Sequence, residues 1–378
     1  VAYKSAVPNL QALNNADAQL VLTPGSPSEF LGRVAIAEFG LNDLSTKWVE
    51  ADGASQVFKQ LRKDKQSLKR GYVLWEPFKS QALEDKAVHV LFDTSRVSGY
   101  VVDVLVAQRQ FLLDHPDVVR SVVEAQLRTM DSYQGRLVQL VIDDAKRTGD
   151  SLSQAQAQKV VDGIRWRNTL ENYTHFGLAP PAPGILLLED SISNIADVLV
   201  RTGGLGEDPV AGRANELFYQ GTLQEMKGSD FHPQKKLGIV DGALGTGDLD
   251  SVAGEAELRG LTSAEWEQLT PVGSMQVKAI SFGRGTARLN INSQRELDAL
   301  VRRLHSLPHF YLTVKGHTRA EGDADANRKL AEERAQAAMD YLVTKGVKPI
   351  RLRSVATEPV GTGGAFQSVS FVLAQQPY

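Results

Sequence analysis

The sequence contains no cysteine. Without thiols the chain cannot form a disulfide, a zinc ribbon, an iron–sulfur cluster or a cysteine nucleophile. The seven histidines are scattered and show no spacing that is typical of metal ligands. Paired carboxylates and nucleophile–base motifs are lacking as well. We therefore predict no catalytic residue, no metal site, no cofactor and no enzymatic activity.

Long apolar runs and a strong net charge are also lacking. No run reaches the roughly 18 apolar residues that would cross a bilayer. Lys and Arg number 42 against 45 Asp and Glu, so the net charge of −3 argues against a general nucleic-acid binder. The 378 residues are 42% hydrophobic, which is typical of a soluble globular protein with two or three domains. The first residue is Val1 and a signal peptide is lacking, so we expect a mature or trimmed product.

The charge is divided unequally along the chain. Residues 277–378 carry 15 Lys and Arg against 9 Asp and Glu, a balance of +6, whereas the preceding residues carry −9. Such a change of sign predicts two modules. A glycine-rich segment at 238–247 leads into an acidic stretch between them. We therefore expect domains at 1–230 and 276–378 with a connector at 231–275.

A strand followed directly by a helix is predicted near the start of the chain. Leu20 to Thr23 is β-branched and apolar, and Pro24-Gly25 forms a turn. Ser26-Pro27-Ser28-Glu29 is a capping box that begins a helix ending at Gly40. This arrangement presents backbone N–H groups and hydroxyls at the carboxyl edge of a sheet, where an anionic or polar ligand can bind. Many such turns bind nothing.

The alternation of strands and helices continues to about residue 107. It predicts strands at 47–50, 71–75, 89–93 and 100–107, a helix at 54–63, and helices over most of 108–226. This order predicts an α/β fold with a mostly parallel sheet.

Four segments in this region resemble one family. They are Pro24-Gly25-Ser26-Pro27-Ser28, Gly71-Tyr72-Val73-Leu74-Trp75-Glu76-Pro77-Phe78, Asp103-Val104-Leu105-Val106 and Phe111-Leu112-Leu113-Asp114-His115-Pro116-Asp117-Val118-Val119. Their order is similar to that in the periplasmic substrate-binding proteins of ABC importers, of the nitrate, sulfonate, taurine and thiamine-precursor type, over about residues 18–200. The resemblance implies type II periplasmic-binding-protein-like α/β lobes plus a helical segment. It also implies that Ser26 and Ser28 face a small-molecule solute, with Trp75 and Glu76 on the strand end opposite.

Two alternatives for these residues stay open. Trp75 can be a core aromatic at a strand end, and Glu76 can be a neighbour of a helix N-cap. The family also has a longer segment before the equivalent of Leu20 than the 19 residues present here. We therefore expect either a missing half-lobe or a rearranged fold, and in the first case part of the solute site is absent.

The last hundred residues have the pattern of an α+β domain. Strands are predicted at 277–282, 310–314, 350–356 and 367–374, with helices beginning at the capping box Ser293-Gln294-Arg295-Glu296 and at about Ala326. The order β-α-β-α-β-β predicts a mixed sheet backed by helices.

This module resembles the OmpA-like peptidoglycan-binding domain. The resemblance rests on Gly316-His317-Thr318, Gly322, Asn327, Leu330, Arg334-Ala335 and Gly346-Val347. It implies a site that holds the free carboxylate and amine of the diaminopimelate in a peptide stem. An arginine takes the carboxylate, a position filled here by Arg334, and Thr318 and Asn327 belong to the same motif. Asn327 can instead cap the helix, and His317 is expected to be an ordinary loop residue.

One position departs from the family pattern. The Asp that follows the Thr and meets the ammonium is replaced by Arg319. A cation there repels an ammonium by about 1–3 kcal/mol in a partly solvated site. The acidic residues Glu321, Asp323 and Asp325 can supply the missing charge. Otherwise Arg319 and Arg334 together bind an anion, or the domain is only structural.

We predict from these features a non-enzymatic, periplasmic solute-binding component of an ABC importer, tethered at the cell wall. Its partners would be a small-molecule solute, an ABC permease and peptidoglycan, but not nucleic acid. The alternative is a cell-wall-associated structural or interaction protein with a degenerate binding domain. Both place the chain in the periplasm or cell envelope, where the lack of cysteine suits an oxidising compartment.

Overall fold

The computed structural model describes the chain apart from residues 182–184, 230, 232–238, 241–242, 245–257, 284, 319–320 and 358–368. The chain forms two compact units. The first contains Val1–Val101, Asn194–Asp208 and Glu257–Tyr378, and the second contains Val102–Ser193 and Pro209–Ala256.

The N-terminal residues form short strands alternating with helices. The elements are β1 (Ala2–Tyr3), β2 (Gln19–Leu22), α1 (Pro27–Phe39), β3 (Val49–Glu50), α2 (Gly53–Lys63), β4 (Arg70–Tyr72), α3 (Phe78–Ala82) and β5 (Val88–His89). Strands β3, β2 and β4 pair in this order, all parallel, as the sequence predicted. The predicted N-cap Ser26 and the predicted stop at Gly40, which has φ 65°, are confirmed.

Helices dominate the middle of the chain. They are α4 (Arg109–Asp114), α5 (Pro116–Tyr133), α6 (Leu137–Arg147), α7 (Gln154–Asp162), α8 (Thr169–His175), α9 (Leu188–Arg201) and α10 (Gly221–Lys227), and two short strands follow, β6 (Ile239–Val240) and β7 (Ala243–Leu244). The second unit has a core formed by Leu127, Tyr173, Leu223, Met226 and Phe231. In the part of the chain that the structure describes, no helix is long and apolar enough to cross a membrane.

The strand predicted at 100–107 is wrong. Residues 102–107 adopt no regular structure, and Val106 is 87% exposed. High β propensity produces a strand only where a neighbouring strand accepts its backbone hydrogen bonds. The described residues provide no such neighbour for this segment.

The C-terminal residues form a mixed sheet backed by helices, as predicted. The elements are α11 (Ser263–Glu267), β8 (Thr270–Ser274), α12 (Ile291–His305), β9 (Tyr311–Gly316), α13 (Ala324–Thr344), β10 (Leu352–Ala356) and β11 (Val369–Gln375). The strand order is β10-β9-β11-β8. Strand β10 is parallel to β9, and β11 is antiparallel to both β9 and β8.

Two details differ from the predicted pattern. The first strand is β8, inside the expected connector, and not 277–282. Helix α12 begins at Ile291 and is capped by Asn290, whose side chain accepts the Ser293 N–H at 2.9 Å, whereas the Ser293 hydroxyl donates to Ser281 O at 2.9 Å. The glycine-rich part of the expected connector lies largely outside the described residues.

One hydrophobic core joins the N-terminal and C-terminal residues of the first unit. The Phe39 ring on α1 lies 5.3 Å from the Phe310 ring, which precedes β9. The Gln11 amide donates to Val272 O on β8 at 2.5 Å. The sequence predicted separate domains at 1–230 and 276–378 with the connector at 231–275, whereas the core here crosses residue 276. The boundaries given for those domains stay a prediction.

A buried ion-pair network lies in the same core. The Glu38 carboxylate on α1 is fully buried, and its Oε2 accepts from Arg303 Nε on α12 at 2.9 Å. Its Oε1 accepts from Arg201 Nη1 at 3.1 Å. Both oxygens of the buried carboxylate thus face guanidinium groups, which offsets the cost of burying these polar atoms.

Candidate functional site

The C-terminal candidate site begins where strand β9 meets helix α13. A Cβ atom at Gly316, the last residue of β9, would lie 1.9 Å from Ala331 O. Only glycine therefore allows the helix backbone to come this close to the strand. Arg334 lies nearly one helical turn after Ala331, and Thr318 lies two residues after Gly316. The close contact thus fixes the backbone positions from which both predicted residues project.

Arg334 is a buried cation that pairs with no carboxylate in the described part of the chain. Its side chain is 1% exposed, and its Nε donates to Thr286 O at 3.1 Å. Its guanidinium lies 5.3 Å above the Phe282 ring, and its Nη1 atom has no hydrogen-bond partner among the described residues. Burial lowers the pKa of Arg334, yet a guanidinium remains protonated in proteins. The arrangement can therefore accept an anion.

Thr318 supplies a second unpartnered polar atom. It is 2% exposed, and its Oγ1 makes no hydrogen bond within the described residues. A buried hydroxyl left unpaired costs about 1–3 kcal/mol. A ligand oxygen that accepts this hydroxyl proton would recover that energy.

The remaining predicted residues shape the loop between β9 and α13. Asn327 is half-buried, and its Nδ2 donates to Glu321 O at 2.8 Å. Asp323 caps α13 by accepting the Ala326 N–H at 2.8 Å, so capping is not the role of Asn327. Arg319 lies outside the described residues, and its predicted effect on ammonium binding stays a prediction.

His317 has more contacts than the loop residue expected from the sequence. Its Nε2 lies 2.7 Å from Ser370 Oγ, and its Nδ1 lies 3.0 Å from Thr357 Oγ1. Burial, and to a lesser degree the nearby Lys315, lower the pKa of His317. Two features of the sequence point to this residue, namely its position directly after a buried strand and its place in the Gly316-His317-Thr318 motif.

The predicted solute-binding serines lie at the N-terminus of α1. The Ser26 hydroxyl accepts the Ser28 N–H at 3.1 Å and donates to Thr23 O at 2.6 Å. Ser28 is buried at 6% exposure. The Ser26 hydroxyl is thus already engaged in the cap.

Trp75 follows β4, the parallel neighbour of β2, so the structure brings it to the same sheet edge as Ser26. It is 46% exposed, which does not fit a core aromatic. Glu76 accepts the Ser80 N–H at 3.1 Å and lies 3.5 Å from Lys79 Nζ, so it supports the start of α3. Binding of a solute by these residues stays a prediction.

A cavity of about 350 Å³ lies elsewhere in the N-terminal part. Its lining residues are Tyr3, Phe58, Leu61, Arg62, Gln81, Ala82, Glu84, Asp85 and Val88. None of the four predicted solute-binding residues belongs to this lining.

Comparison with known sequences identifies the C-terminal part. Residues 281–363 match the model of the OmpA family. The peptidoglycan-associated lipoprotein of Rhizobium meliloti is 31% identical over 77 residues, which are 20% of this chain and 44% of that protein. Outer membrane protein A of Serratia marcescens is 37% identical over 70 residues, 18% of this chain and 20% of that protein. The peptidoglycan-associated lipoprotein of Agrobacterium fabrum is 28% identical over 115 residues, 29% of this chain and 62% of that protein. The chain thus spans less than two thirds of the length of each of these relatives.

Among solved structures, the peptidoglycan-associated lipoprotein of Burkholderia pseudomallei is 21% identical, with 27% of this chain and 92% of that chain covered and a TM-score of 0.24. The periplasmic domain of Helicobacter pylori MotB is 14% identical, with 28% and 73% covered and a TM-score of 0.25. The family match includes Thr318, Asn327 and Arg334 but none of residues 18–200. The family match and the curated relatives place the chain in the periplasm or cell envelope, as predicted.

Proposed function

We propose, from the premise that residues 281–363 form an OmpA-like domain, that this chain is a non-enzymatic cell-envelope protein that binds peptidoglycan. In this proposal Arg334 receives a carboxylate of the peptide stem, and Thr318 adds a hydroxyl donor. The names of the curated relatives, several of which are peptidoglycan-associated lipoproteins, support it. It corresponds to a cell-wall-associated interaction protein and requires no transport role.

The observation that supports the proposal most directly is that Arg334 is buried with few hydrogen-bond partners. This guanidinium is 1% exposed, and within the residues that the structure describes its Nη1 has no partner and no carboxylate pairs with it, so it is short of an anion. A carboxylate matches it, because its two oxygens accept two parallel N–H groups. Peptide stems carry such a carboxylate, whereas the sugar backbone offers mainly hydroxyls.

Co-sedimentation with purified peptidoglycan sacculi tests the proposal. We expect Arg334→Ala to weaken binding by about tenfold to a hundredfold, since a hydrogen bond to a charged group contributes about 1.5–3 kcal/mol. Arg295→Ala is the matched control, because it removes the same charge from an exposed position on α12. Thermal unfolding of each variant shows whether it is folded at the assay temperature.

Two outcomes would contradict the proposal. In one, folded Arg334→Ala sediments as well as the wild type. In the other, Arg295→Ala loses as much binding, which would show that only general positive charge matters.

The role of Arg319 gives a separate prediction. If its charge repels the stem ammonium, Arg319→Asp raises sacculus binding by about fivefold to a hundredfold, the equivalent of 1–3 kcal/mol. Binding isotherms of both proteins at one salt concentration measure this change. Equal affinities would show that position 319 does not meet the ammonium.

Solute binding for an ABC permease is a second candidate, favoured by one observation. Trp75 is 46% exposed at the sheet edge that also carries the N-terminus of α1. A thermal-shift screen with nitrate, sulfonates and taurine tests it, because a ligand of the native state raises the unfolding temperature. A shift that disappears in Trp75→Ala would support the candidate, and no shift with any of these solutes would contradict it.

A further inference from the structure

The last residue of strand β9 is paired with one residue in each of the two neighbouring strands. Gly316 is in register with Ala356 of β10 on one side and with Val369 of β11 on the other. His317 follows immediately. Its ring reaches Thr357, the residue after β10, and Ser370 on β11.

The hydrogen-bond directions in this cluster can be assigned. The Thr357 hydroxyl donates to Gly316 O at 3.0 Å, so its oxygen must accept a hydrogen from the ring. The ring therefore carries its proton on Nδ1 and donates to Thr357. Nε2 is then an acceptor, and the Ser370 hydroxyl donates to it at 2.7 Å. When His317 is neutral, every donor in this series has an acceptor. Ser370 donates to His317, His317 donates to Thr357, and Thr357 donates to Gly316 O.

The cluster constrains the backbone that leads into the proposed site. Thr318 is the next residue, and its buried hydroxyl has no partner in the described part of the chain. On the other side of Gly316, the contact with Ala331 O fixes the helix that carries Arg334. The direction in which Thr318 presents its hydroxyl therefore depends on the bonds of the residue before it.

We propose that His317 is a positioning residue for peptidoglycan binding. By bonding Thr357 and Ser370 it holds the three strand ends together and fixes Thr318 relative to Arg334. It does not itself touch the ligand. This inference rests on the proposed function.

Variants of His317 separate its two bonds. His317→Asn places an amide nitrogen near the position of Nδ1 and keeps only the bond to Thr357. His317→Gln places its amide group nearer to the position of Nε2 and keeps only the bond to Ser370. His317→Ala removes both bonds. Thr313→Val, at a half-buried position on the same strand, is the matched control.

We expect His317→Ala to lose about tenfold in affinity for sacculi, the equivalent of 1.4 kcal/mol, while remaining folded at the assay temperature. His317→Asn and His317→Gln should each recover part of this loss. In the ligand-free protein, the Thr318 amide should exchange its hydrogen faster in His317→Ala than in the wild type or in Thr313→Val.

The results distinguish this inference from the proposed function. If Arg334→Ala abolishes binding but folded His317→Ala binds and exchanges like the wild type, the positioning role is overturned and the function stands. A fall in unfolding temperature without any affinity change would show that His317 is only structural. If Arg334→Ala binds normally, the function and this inference are both overturned.

Discussion

Three buried arginines in the C-terminal part differ in the partners that their guanidinium groups bond. Arg351 donates to the carbonyls of Leu304, Leu307 and Phe310, although burial lowers its pKa to about 10. Arg303 is paired with Glu38. Burial alone would lower the pKa of Arg303, but the carboxylate more than offsets this and raises it.

Arg334 differs from the other two because one carbonyl and one aromatic ring are its described partners. Arg303 is paired with a carboxylate and Arg351 bonds three carbonyls, whereas Arg334 has neither a carboxylate nor a second carbonyl among its described partners. This difference supports the proposal that Arg334 receives the carboxylate of a peptide stem.

His175 in the second unit gives a pH prediction. Burial, with a smaller contribution from Arg167, lowers the pKa of His175 to about 4. The unfolded chain takes up this proton near pH 6.5, so the stabilising contribution is complete above that pH and is lost as the pH falls towards 4. We expect a loss of about 3 kcal/mol between pH 7 and pH 4.

Hydrogen exchange of the α8 amides measures this loss, with His175→Gln as the control that lacks the titrating ring. The two proteins should differ in pH dependence over this range. Parallel pH profiles would show that His175 is protonated equally easily in the folded and unfolded chain.

At the scale of elements, the packing of α13 on β9 depends on one glycine. A methyl group at Gly316 would overlap Ala331 O, which is backbone and cannot move aside as a side chain can. We expect Gly316→Ala to push the helix away, to lower the free energy of unfolding by about 1–3 kcal/mol and to weaken sacculus binding.

Gly260→Ala is the control, because no atom lies within 4 Å of the added methyl group. Chemical denaturation of the two variants provides the comparison. Equal stability of Gly316→Ala and the wild type would mean that the helix does not approach the strand this closely.

Elements with local signals were predictable from the sequence. The cap at Ser26 and the left-handed backbone at Gly40 determine where α1 begins and ends. Both act through residues in or next to the helix, so no distant contact is needed. Strand β8 had no such signal. It is a strand because β11, about a hundred residues later, pairs with it. The segment 100–107 shows the opposite case, since its strong β propensity meets no partner.

The candidate site was predicted in part for the same reason. Arg334 and Thr318 belong to the motif by which the module resembles OmpA-like domains, and each has a buried atom without a partner among the described residues. His317 was missed because its role depends on Thr357 and Ser370, which are near only after the sheet forms. Glu38 was missed too, because its partners on other elements are far along the chain.

At the scale of the whole molecule, the core of the first unit links residues from opposite ends of the chain. Phe39 is fully buried against Phe310, so Phe39→Ala should destabilise the unit by about 3–5 kcal/mol. The effect should reach the C-terminal sheet. Amides of β9 and β11 are expected to exchange faster, although the substitution lies more than 200 residues away in sequence.

Phe111→Ala is the matched control, because this ring is 44% exposed on α4. Hydrogen exchange followed by mass spectrometry locates the change. Faster exchange confined to residues 1–101 in Phe39→Ala would show that the C-terminal part folds independently of the rest.

In the proposed function, Arg334 binds a carboxylate of the peptide stem. The most direct measurement is a nuclear magnetic resonance titration of the Arg334 Nε–H signal with a soluble peptide stem ending in free diaminopimelate. We expect a saturable shift of this signal that disappears when the carboxylate of the stem is amidated. A signal that stays in place with both peptides, or that shifts equally with both, would contradict it.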